Sequence, residues 1–185
     1  MKFQDVINKR HSIREYEKKQ VPQSVLKELI INATKAPSGA NTQPWVFYVI
    51  QSKKKRDKMA EIIRDYYKKS GYKLIQNHKY KNILENFYVN LGDAPCLIFV
   101  FYKTIKGFPN PVLSASAILA AGNLINAAVE KGLGTCWINS FLLRRKKISE
   151  ILKVPKDQKL VAPLIVGYPK KRYKPLIREK RKFFI

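Results

Sequence analysis

The sequence predicts an α+β domain, because four short β-branched and aromatic runs alternate with longer segments of helical periodicity. The strand-like runs are residues 45–50, 96–102, 133–138 and 159–168. The chain has 185 residues, which is the usual size of one domain, and no linker or internal repeat divides it. We therefore predict a single domain over residues 1–185.

The first third of the chain predicts two helices and one strand. Apolar residues at helical spacing in 3–9 form one face of a short helix. A second helix starts after Pro22, carries an apolar stripe to Ala33, and ends before Pro37 and Gly39. The run 45–50 is short and apolar, as expected of a buried strand.

The rest of the chain is more helical. Residues 53–91 carry two amphipathic faces separated by a turn at 68–73, and 96–102 reads as a second buried strand. A long helix of small residues over 109–132 ends at Gly132, and its small side chains let other elements approach closely. A short helix near 145–152 precedes the last strand.

Several kinds of enzyme are excluded by missing motifs. The sequence has no dinucleotide-binding GxGxxG, no P-loop and no GxSxG elbow. His11, His78, Cys96 and Cys136 lack the spacing of metal ligands, and the 13 carboxylates make a paired-acid hydrolase a poor match. Cys136 fits a small core residue better than a nucleophile. A cofactor-dependent reaction is the remaining enzymatic option.

The composition is strongly basic. With 37 Lys+Arg against 13 Asp+Glu the net charge is +24, which suggests a polyanionic partner. Lysines predominate, however, and spread from Lys2 to Lys182, which favours general surface charge. We see no signal segment and no apolar run suited to a bilayer, so we expect a cytoplasmic protein with no membrane span.

The segment Arg10-His11-Ser12-Ile13-Arg14 is the first candidate binding element. If it is extended, alternation places Arg10, Ser12 and Arg14 on one side, where two guanidinium groups and a hydroxyl suit a phosphate. The alternative is a solvated loop in which Arg14 pairs with Glu15 or Glu17.

The second candidate binding element is the loop APSGANTQPW, residues 36–45. Its prolines fix the backbone, and Ser38, Asn41 and Gln43 offer uncharged donors and acceptors that suit a polar heterocycle. The alternative is an ordinary connection between a helix and a strand.

Taken together, these segments resemble the FMN-dependent nitroreductase family. The similar stretches, in the order of the family, are RHSIREY, APSGANTQPWVFYVI, GDAPCLIFVF, the alanine-rich helix, EKGLGTCWI and LIVGYP. The resemblance implies a three-layer α+β fold with a central mixed β-sheet flanked by helices, and an intertwined homodimer. It also suggests that the tail, about 170–185, packs on the partner subunit.

The resemblance also implies a binding site for FMN at the subunit interface. The residues that match the cofactor-binding positions are Arg10, His11, Ser12, Arg14, Pro37, Ser38, Gly39, Asn41, Gln43, Trp137, Ile138, Asn139, Arg172 and Lys174. Arg10 and Ser12 would hold the phosphate or ribityl chain, and Arg14 would lie near the pyrimidine edge. The 37–43 loop would come from the other subunit. Arg172 and Lys174 compete with Arg178 for the phosphate.

The implied activity is hydride transfer from NADH or NADPH through FMN to a nitroaromatic, quinone or similar acceptor, with no catalytic side chain and no metal. Two alternatives stay open with the same fold and cofactor, reductive dehalogenation and fragmentation of the flavin. Residues 51–90 match the family least and are expected to shape the substrate pocket. A basic nucleic-acid-binding module is the weaker alternative of another class.

Overall fold

A computed structural model describes residues 1–69 and 81–171, and for 81–84 and 86 the backbone alone. The described helices are α1 (Phe3–Lys9), α2 (Gln23–Ala33), α3 (Lys53–Lys69), α4 (Lys81–Asn90), α5 (Asn110–Glu130) and α6 (Arg145–Leu152). The strands are β1 (Trp45–Ile50), β2 (Cys96–Lys103), β3 (Gly134–Trp137) and β4 (Gln158–Gly167). These elements follow the order that the sequence predicts.

The four strands form one sheet in the order β1-β2-β4-β3, and each neighbouring pair is antiparallel. In register, Tyr48 lies opposite Phe99 and Cys136 opposite Ile165. An isolated parallel bridge joins Ser12 to Thr135 on the free edge of β3. The described strands themselves pair only in the antiparallel sense, so the expected mixed character of the sheet is limited to this bridge. The N-terminal segment is therefore attached directly to the last strand of the sheet.

Helices cover both faces of the sheet and complete the three predicted layers. Leu97, Phe99 and Phe101 of β2 point into a core shared with α3, α4 and α6. Ile98 and Val100 alternate with them and point into a second core built with α2 and α5. Because β2 is buried on both faces, its sequence is continuously apolar instead of alternating.

One strand differs from its prediction. We expected the whole of β1 to be buried. Only its last residue, Ile50, is buried, and Val49 is exposed. The reason is topological: β1 lies at one edge of the sheet, and on that side no strand of the described residues adjoins it. Apolar composition alone does not separate an edge strand from a central one.

Helix α5 is long and apolar enough to cross a membrane by length and composition. Its buried side chains, among them Leu113, Ala117 and Leu124, instead pack in the core between the sheet and α2. The small residues permit this close approach, which accounts for the alanine-rich composition.

Two predicted features fall wholly or partly outside the described residues. Lys68 and Lys69 of the predicted 68–73 turn still belong to α3, and the remainder of that turn is not described. Arg172, Lys174 and Arg178 also lie outside the described residues, so their predicted phosphate contacts stay predictions.

Gly134 allows the N-terminal segment to reach β3. A Cβ at this position would overlap the side chain of Ile13, with Ile13 Cβ at 2.8 Å, and would press on Pro169. Ile13 is itself buried and donates its backbone N–H to Thr135 O at 2.9 Å. The absence of a side chain at 134 is thus a condition for this pairing.

We predict that Gly134→Ala lowers the free energy of unfolding by about 1–3 kcal/mol, since the added methyl group overpacks this contact. In an Ile13→Ala background the same substitution is expected to cost less, because the nearest overlapping atom, Ile13 Cγ1, is gone while the contact with the Cβ atom of residue 13 remains. Urea denaturation of the four proteins of this double-mutant cycle measures the coupling. Additive effects would show that the close approach is unimportant.

Candidate functional site

The position of Arg14 is set by backbone contacts on both sides of it. Ile13 pairs with Thr135 as described, and Tyr16 N–H donates to Gly92 O at 3.0 Å. The buried Tyr16 hydroxyl also donates to Ile13 O at 2.8 Å, which closes a local turn. Arg14 is thereby held between the edge of β3 and the end of α4.

Arg14 contributes to a cavity of about 380 Å³ at the edge of the sheet. The cavity lies where α3, α4, the end of β3 and a 3₁₀ segment, Asn139–Arg144, come together. Its lining is mostly aromatic and aliphatic: Arg14, Tyr67, Phe87, Tyr88, Cys136, Trp137, Ile138, Asn139, Ser140, Leu142 and Leu143. Among these described lining residues, Arg14 is the charged one, and it faces a largely apolar wall.

Hydroxyl groups form a cluster on this wall. The buried Tyr67 hydroxyl lies 2.8 Å from Ser140 Oγ, and the Tyr67 ring stacks on Tyr88 with centroids 4.0 Å apart and planes inclined by 20°. Burial, followed by hydrogen bonding to Tyr67, raises the pKa of Tyr88 above its ordinary value. Tyr88 consequently remains a neutral phenol near neutral pH.

The charge of Arg14 is only weakly compensated. Its guanidinium donates one long hydrogen bond, Nη1 to Ser12 O at 3.4 Å. Within residues 1–69 and 81–171, no carboxylate oxygen lies within 4.0 Å of it, so the alternative pairing with Glu15 or Glu17 is not found. A half-buried cation without a counter-ion is a favourable site for negative charge on a bound group.

Cys136 lies behind Arg14 and is almost fully buried. Burial raises the pKa of its thiol, while the nearby Arg14 charge and a hydrogen bond with Ser12 act in the opposite direction. Burial likewise raises the pKa of the Cys96 thiol to about 12. Neither cysteine has the low pKa of a nucleophile, in agreement with the core role expected for Cys136.

The structure brings together one part of the predicted site. Arg14, Trp137, Ile138 and Asn139 all line the cavity. Arg10, His11 and Ser12 lie on the same segment just before Arg14 but are not part of that lining. The isolated bridge shows that the chain is extended at Ser12. The placement of Arg10, Ser12 and Arg14 on one side of the segment stays a prediction.

The other part of the predicted site, the 37–43 loop, lies away from this cavity. Gly39 N–H donates to Ser116 Oγ of α5 at 3.3 Å, so the loop holding Pro37, Ser38, Gly39, Asn41 and Gln43 packs beside that helix. Ser38 Oγ accepts from Gln43 N–H at 3.0 Å, and the side chains of Asn41 and Gln43 are hydrogen-bonded and exposed. None of these five residues lines the cavity of the same chain.

Sequence reasoning missed Tyr67, Tyr88 and Ser140 as individual site residues. Tyr88 lies on one of the two amphipathic faces predicted for residues 53–91, where a core tyrosine and a cavity tyrosine give the same periodicity. The available signal was coarser: the expectation that residues 51–90 shape a pocket is consistent with Tyr67, Phe87 and Tyr88 in the lining.

Two further cavities are described. One of about 340 Å³ adjoins the first and shares Arg14 and Phe87 with it, while Lys170 lines its far side. A larger one, about 520 Å³, lies between the start of α3 and the end of α4 and contains none of the predicted site residues. Size alone therefore does not identify the functional site.

The combined geometry suits a planar aromatic group with hydrogen-bond acceptors beside Arg14. The aromatic walls supply stacking surface, and the guanidinium has donors to spare. Trp137 carries a buried indole N–H that has no acceptor among the residues the structure describes. A bound group or a second chain would supply one.

Comparison with known proteins agrees with this arrangement. The model of the nitroreductase family matches residues 7–168. The chain belongs to the nitroreductase family. The family resemblance and the α+β fold with helices on both faces of the sheet are thus confirmed.

Among known relatives, human iodotyrosine deiodinase 1 is 32% identical over 183 residues, which cover 91% of this chain and 62% of the human protein. The chain thus spans less than two thirds of that relative. A crystal structure of oxidised iodotyrosine deiodinase bound to FMN and 3-iodo-L-tyrosine matches 99% of this chain and 98% of its own, with 26% identity and a TM-score of 0.83. A Bacillus subtilis protein named as an NAD(P)H nitroreductase, YfhC, is 25% identical, covering 90% of this chain and 84% of its own.

The raised pKa of Tyr88 predicts a pH dependence of stability. Above the ordinary tyrosine pKa of about 10, the unfolded chain ionises Tyr88 before the folded chain does, so stability falls as pH rises. Tyr88→Phe removes this loss, which amounts to about 1 kcal/mol at pH 11. Denaturant titrations at pH 9 and pH 11 test this. If the free energy of unfolding fell equally in the wild type and the variant between pH 9 and pH 11, Tyr88 would not be a buried neutral phenol.

Proposed function

We propose that the protein is an FMN-dependent reductase whose preferred reaction is reductive dehalogenation of a small aromatic compound. The observation that carries the proposal is the uncompensated Arg14 guanidinium on the wall of an aromatic cavity. The similarity to deiodinases, at 32% identity and with a TM-score of 0.83, favours dehalogenation over the other family reactions.

The residues of the site fit FMN. A flavin ring is flat and rich in acceptors, and its reduced form carries negative charge at the pyrimidine end, which a fixed cation stabilises. Arg14 would contact that end, while Trp137, Ile138 and Asn139 would lie along the ring. Arg10 and Ser12, on the preceding segment, would hold the ribityl chain or phosphate.

Bound FMN would supply the two-electron chemistry, taking electrons from NADH or NADPH and passing them to the acceptor. The overall change consumes two electrons and one proton, replaces the carbon–halogen bond by carbon–hydrogen, and releases halide. The protein contributes orientation and electrostatics. Phe87 and Tyr88 would stack against an aromatic acceptor, and the apolar Leu142 and Leu143 would exclude water.

The hydroxyl cluster gives the site neutral hydrogen-bond donors. Because Tyr88 keeps its proton at neutral pH, it can donate to an oxygen of the acceptor, such as a phenolic or nitro oxygen. Tyr67 and Ser140 hold each other in place and support this ring from behind. These are positioning roles, and the absence of a catalytic side chain stays a prediction.

Nitro-group reduction is the second candidate. It is favoured by the Bacillus subtilis relative, because that similarity extends over 84% of the relative's length. The same cavity and the same Arg14 would serve it, since both reactions deliver electrons to a planar aromatic compound.

The active form is proposed to be a homodimer that combines two halves of the site. Exposed apolar residues of α5, namely Val112, Ile118 and Leu119, lie in the layer that also holds the 37–43 loop. Helix α1 packs on α5 and adds the exposed Phe3 and Ile7. A second copy on this face would bring its 37–43 loop to the interface, and the proposal requires that this loop reaches around the β3 edge of the sheet to the cavity that the loop of the same chain does not line.

The activity is tested by incubating the FMN-loaded protein with 3-iodo-L-tyrosine and a nicotinamide donor without oxygen, and measuring iodide by ion chromatography. We expect release of one iodide per donor oxidised. Arg14→Gln is expected to lower the rate about tenfold to hundredfold, and Arg14→Lys less, because lysine keeps the charge. Nitroaromatic reduction without any iodide release would favour the second candidate, and no reduction of either class would contradict the proposal.

The dimer is tested by Leu119→Asp, which places a charge on the exposed α5 face. We expect the variant to sediment as a monomer and to bind FMN at least about tenfold more weakly, since a buried unpaired charge opposes association. Val89→Asp, an equally exposed position on α4, is the control and is expected to change neither property. A monomeric variant with unchanged FMN affinity would show that one chain forms the whole site.

A further inference from the structure

The two helical layers differ sharply in charge. Helix α3 carries eight lysines and arginines and three acidic residues. Arg144 and helix α6 together add four basic residues and one acidic residue. On the opposite face of the sheet, α5 has one acidic residue and no basic one, and α2 has one of each. The basic helices therefore belong to the layer that holds the cavity.

Part of this charge directly follows two cavity-lining residues in the sequence. Tyr67 lines the cavity and is followed by Lys68 and Lys69, while Leu143 lines it from the other side and is 58% exposed. Leu143 is followed by a run of four basic residues. We call the six cations beside these two lining residues the basic rim: Lys68, Lys69, Arg144, Arg145, Lys146 and Lys147.

Arg144 links its part of the rim to the end of α3, and the rim cations lack carboxylate partners among the described residues. The Arg144 guanidinium lies 4.8 Å from the ring centroid of Tyr66, which ties the 3₁₀ segment to the end of α3. In the part of the chain that the structure describes, no rim residue has a carboxylate oxygen within 4.0 Å. Five of the six are exposed, and Arg144 is half-buried.

We propose that the basic rim docks a small acidic electron-carrier protein, which reduces the cofactor in the adjacent cavity. The proposal rests on the proposed function, since it adds a second class of electron donor to the same site. An exposed Leu143 among cations matches an interface with an apolar centre and a charged border. Because Leu143 also lines the cavity, a protein seated on it would bring its redox centre close to the flavin.

Other polyanions fit the rim less well. Single-stranded nucleic acids stack on exposed aromatic side chains, and among the described residues no tyrosine or tryptophan is exposed and the exposed phenylalanine is Phe3, next to α5. Interfacial membrane helices present a broad apolar face, whereas the apolar faces of α3 and α6 are buried in the core. The rim offers a single exposed leucine.

The electron count is complete with a one-electron carrier. Two reduced carrier molecules each give up one electron, and one proton from solvent joins the flavin, so that oxidised FMN becomes its reduced monoanion. Both carriers leave in the oxidised form. The rim takes no part in the chemistry and acts through association.

The test measures binding of an oxidised acidic [2Fe–2S] ferredoxin to the FMN-loaded protein by calorimetry at low salt. Arg145→Glu with Lys146→Glu changes the rim. Lys54→Glu with Lys55→Glu, in the first turn of α3 and about 20 Å from the rim end of that helix, is matched in charge and helix position. We expect Kd to rise at least about tenfold in the rim variant and less than about twofold in the control.

Stopped-flow flavin reduction by reduced ferredoxin is expected to slow in the rim variant alone, while reduction by a neutral photoreductant stays unchanged in both. Equal losses of ferredoxin affinity in the two variants would show that the effect comes from net charge alone, and they would overturn the proposal. So would the absence of saturable binding, or tighter rim-dependent binding to RNA or anionic vesicles. Failure of the wild type to bind FMN at all would instead reject the proposed function.

Discussion

The site depends on the attachment of the N-terminal segment to the free edge of β3. The hydrogen bond from Ile13 N–H to Thr135 O and the parallel bridge at Ser12 hold an otherwise irregular segment in one register. Since side chains alternate along an extended chain, this register buries Ile13 and leaves Arg14 to face the cavity. A shift by one residue would exchange the two and place the guanidinium in the core.

Burial around this attachment determines the chemistry that is available. The thiol of Cys136 and the phenol of Tyr88 both stay protonated because they are withdrawn from water. Arg14 is then the charged group in the described cavity lining. A site with one cation, neutral donors and aromatic walls has little capacity for acid–base catalysis by itself, and it matches chemistry carried out by a flavin.

Much of the fold could be predicted from sequence because its elements have strong local signals. The stripe from Val25 to Ala33 and the long alanine-rich run gave α2 and α5, and the apolar runs gave all four strands. The exposure of β1 could not be predicted, since it depends on the strand order. The motifs predicted Arg14 and residues 137–139 as site residues. Tyr67 and Ser140, in contrast, are 73 positions apart in sequence, and no local pattern encodes the contact between them.

Arg14 is proposed to stabilise the reduced state of a bound flavin, and the midpoint potential of FMN in the protein measures this stabilisation most directly. Spectroelectrochemical titration of the wild type and Arg14→Gln, each saturated with FMN, gives the two values. We predict a potential more negative by about 30 mV or more in the variant, since 30 mV corresponds to about 1.4 kcal/mol for two electrons. Equal potentials in two proteins that both bind FMN would contradict the account.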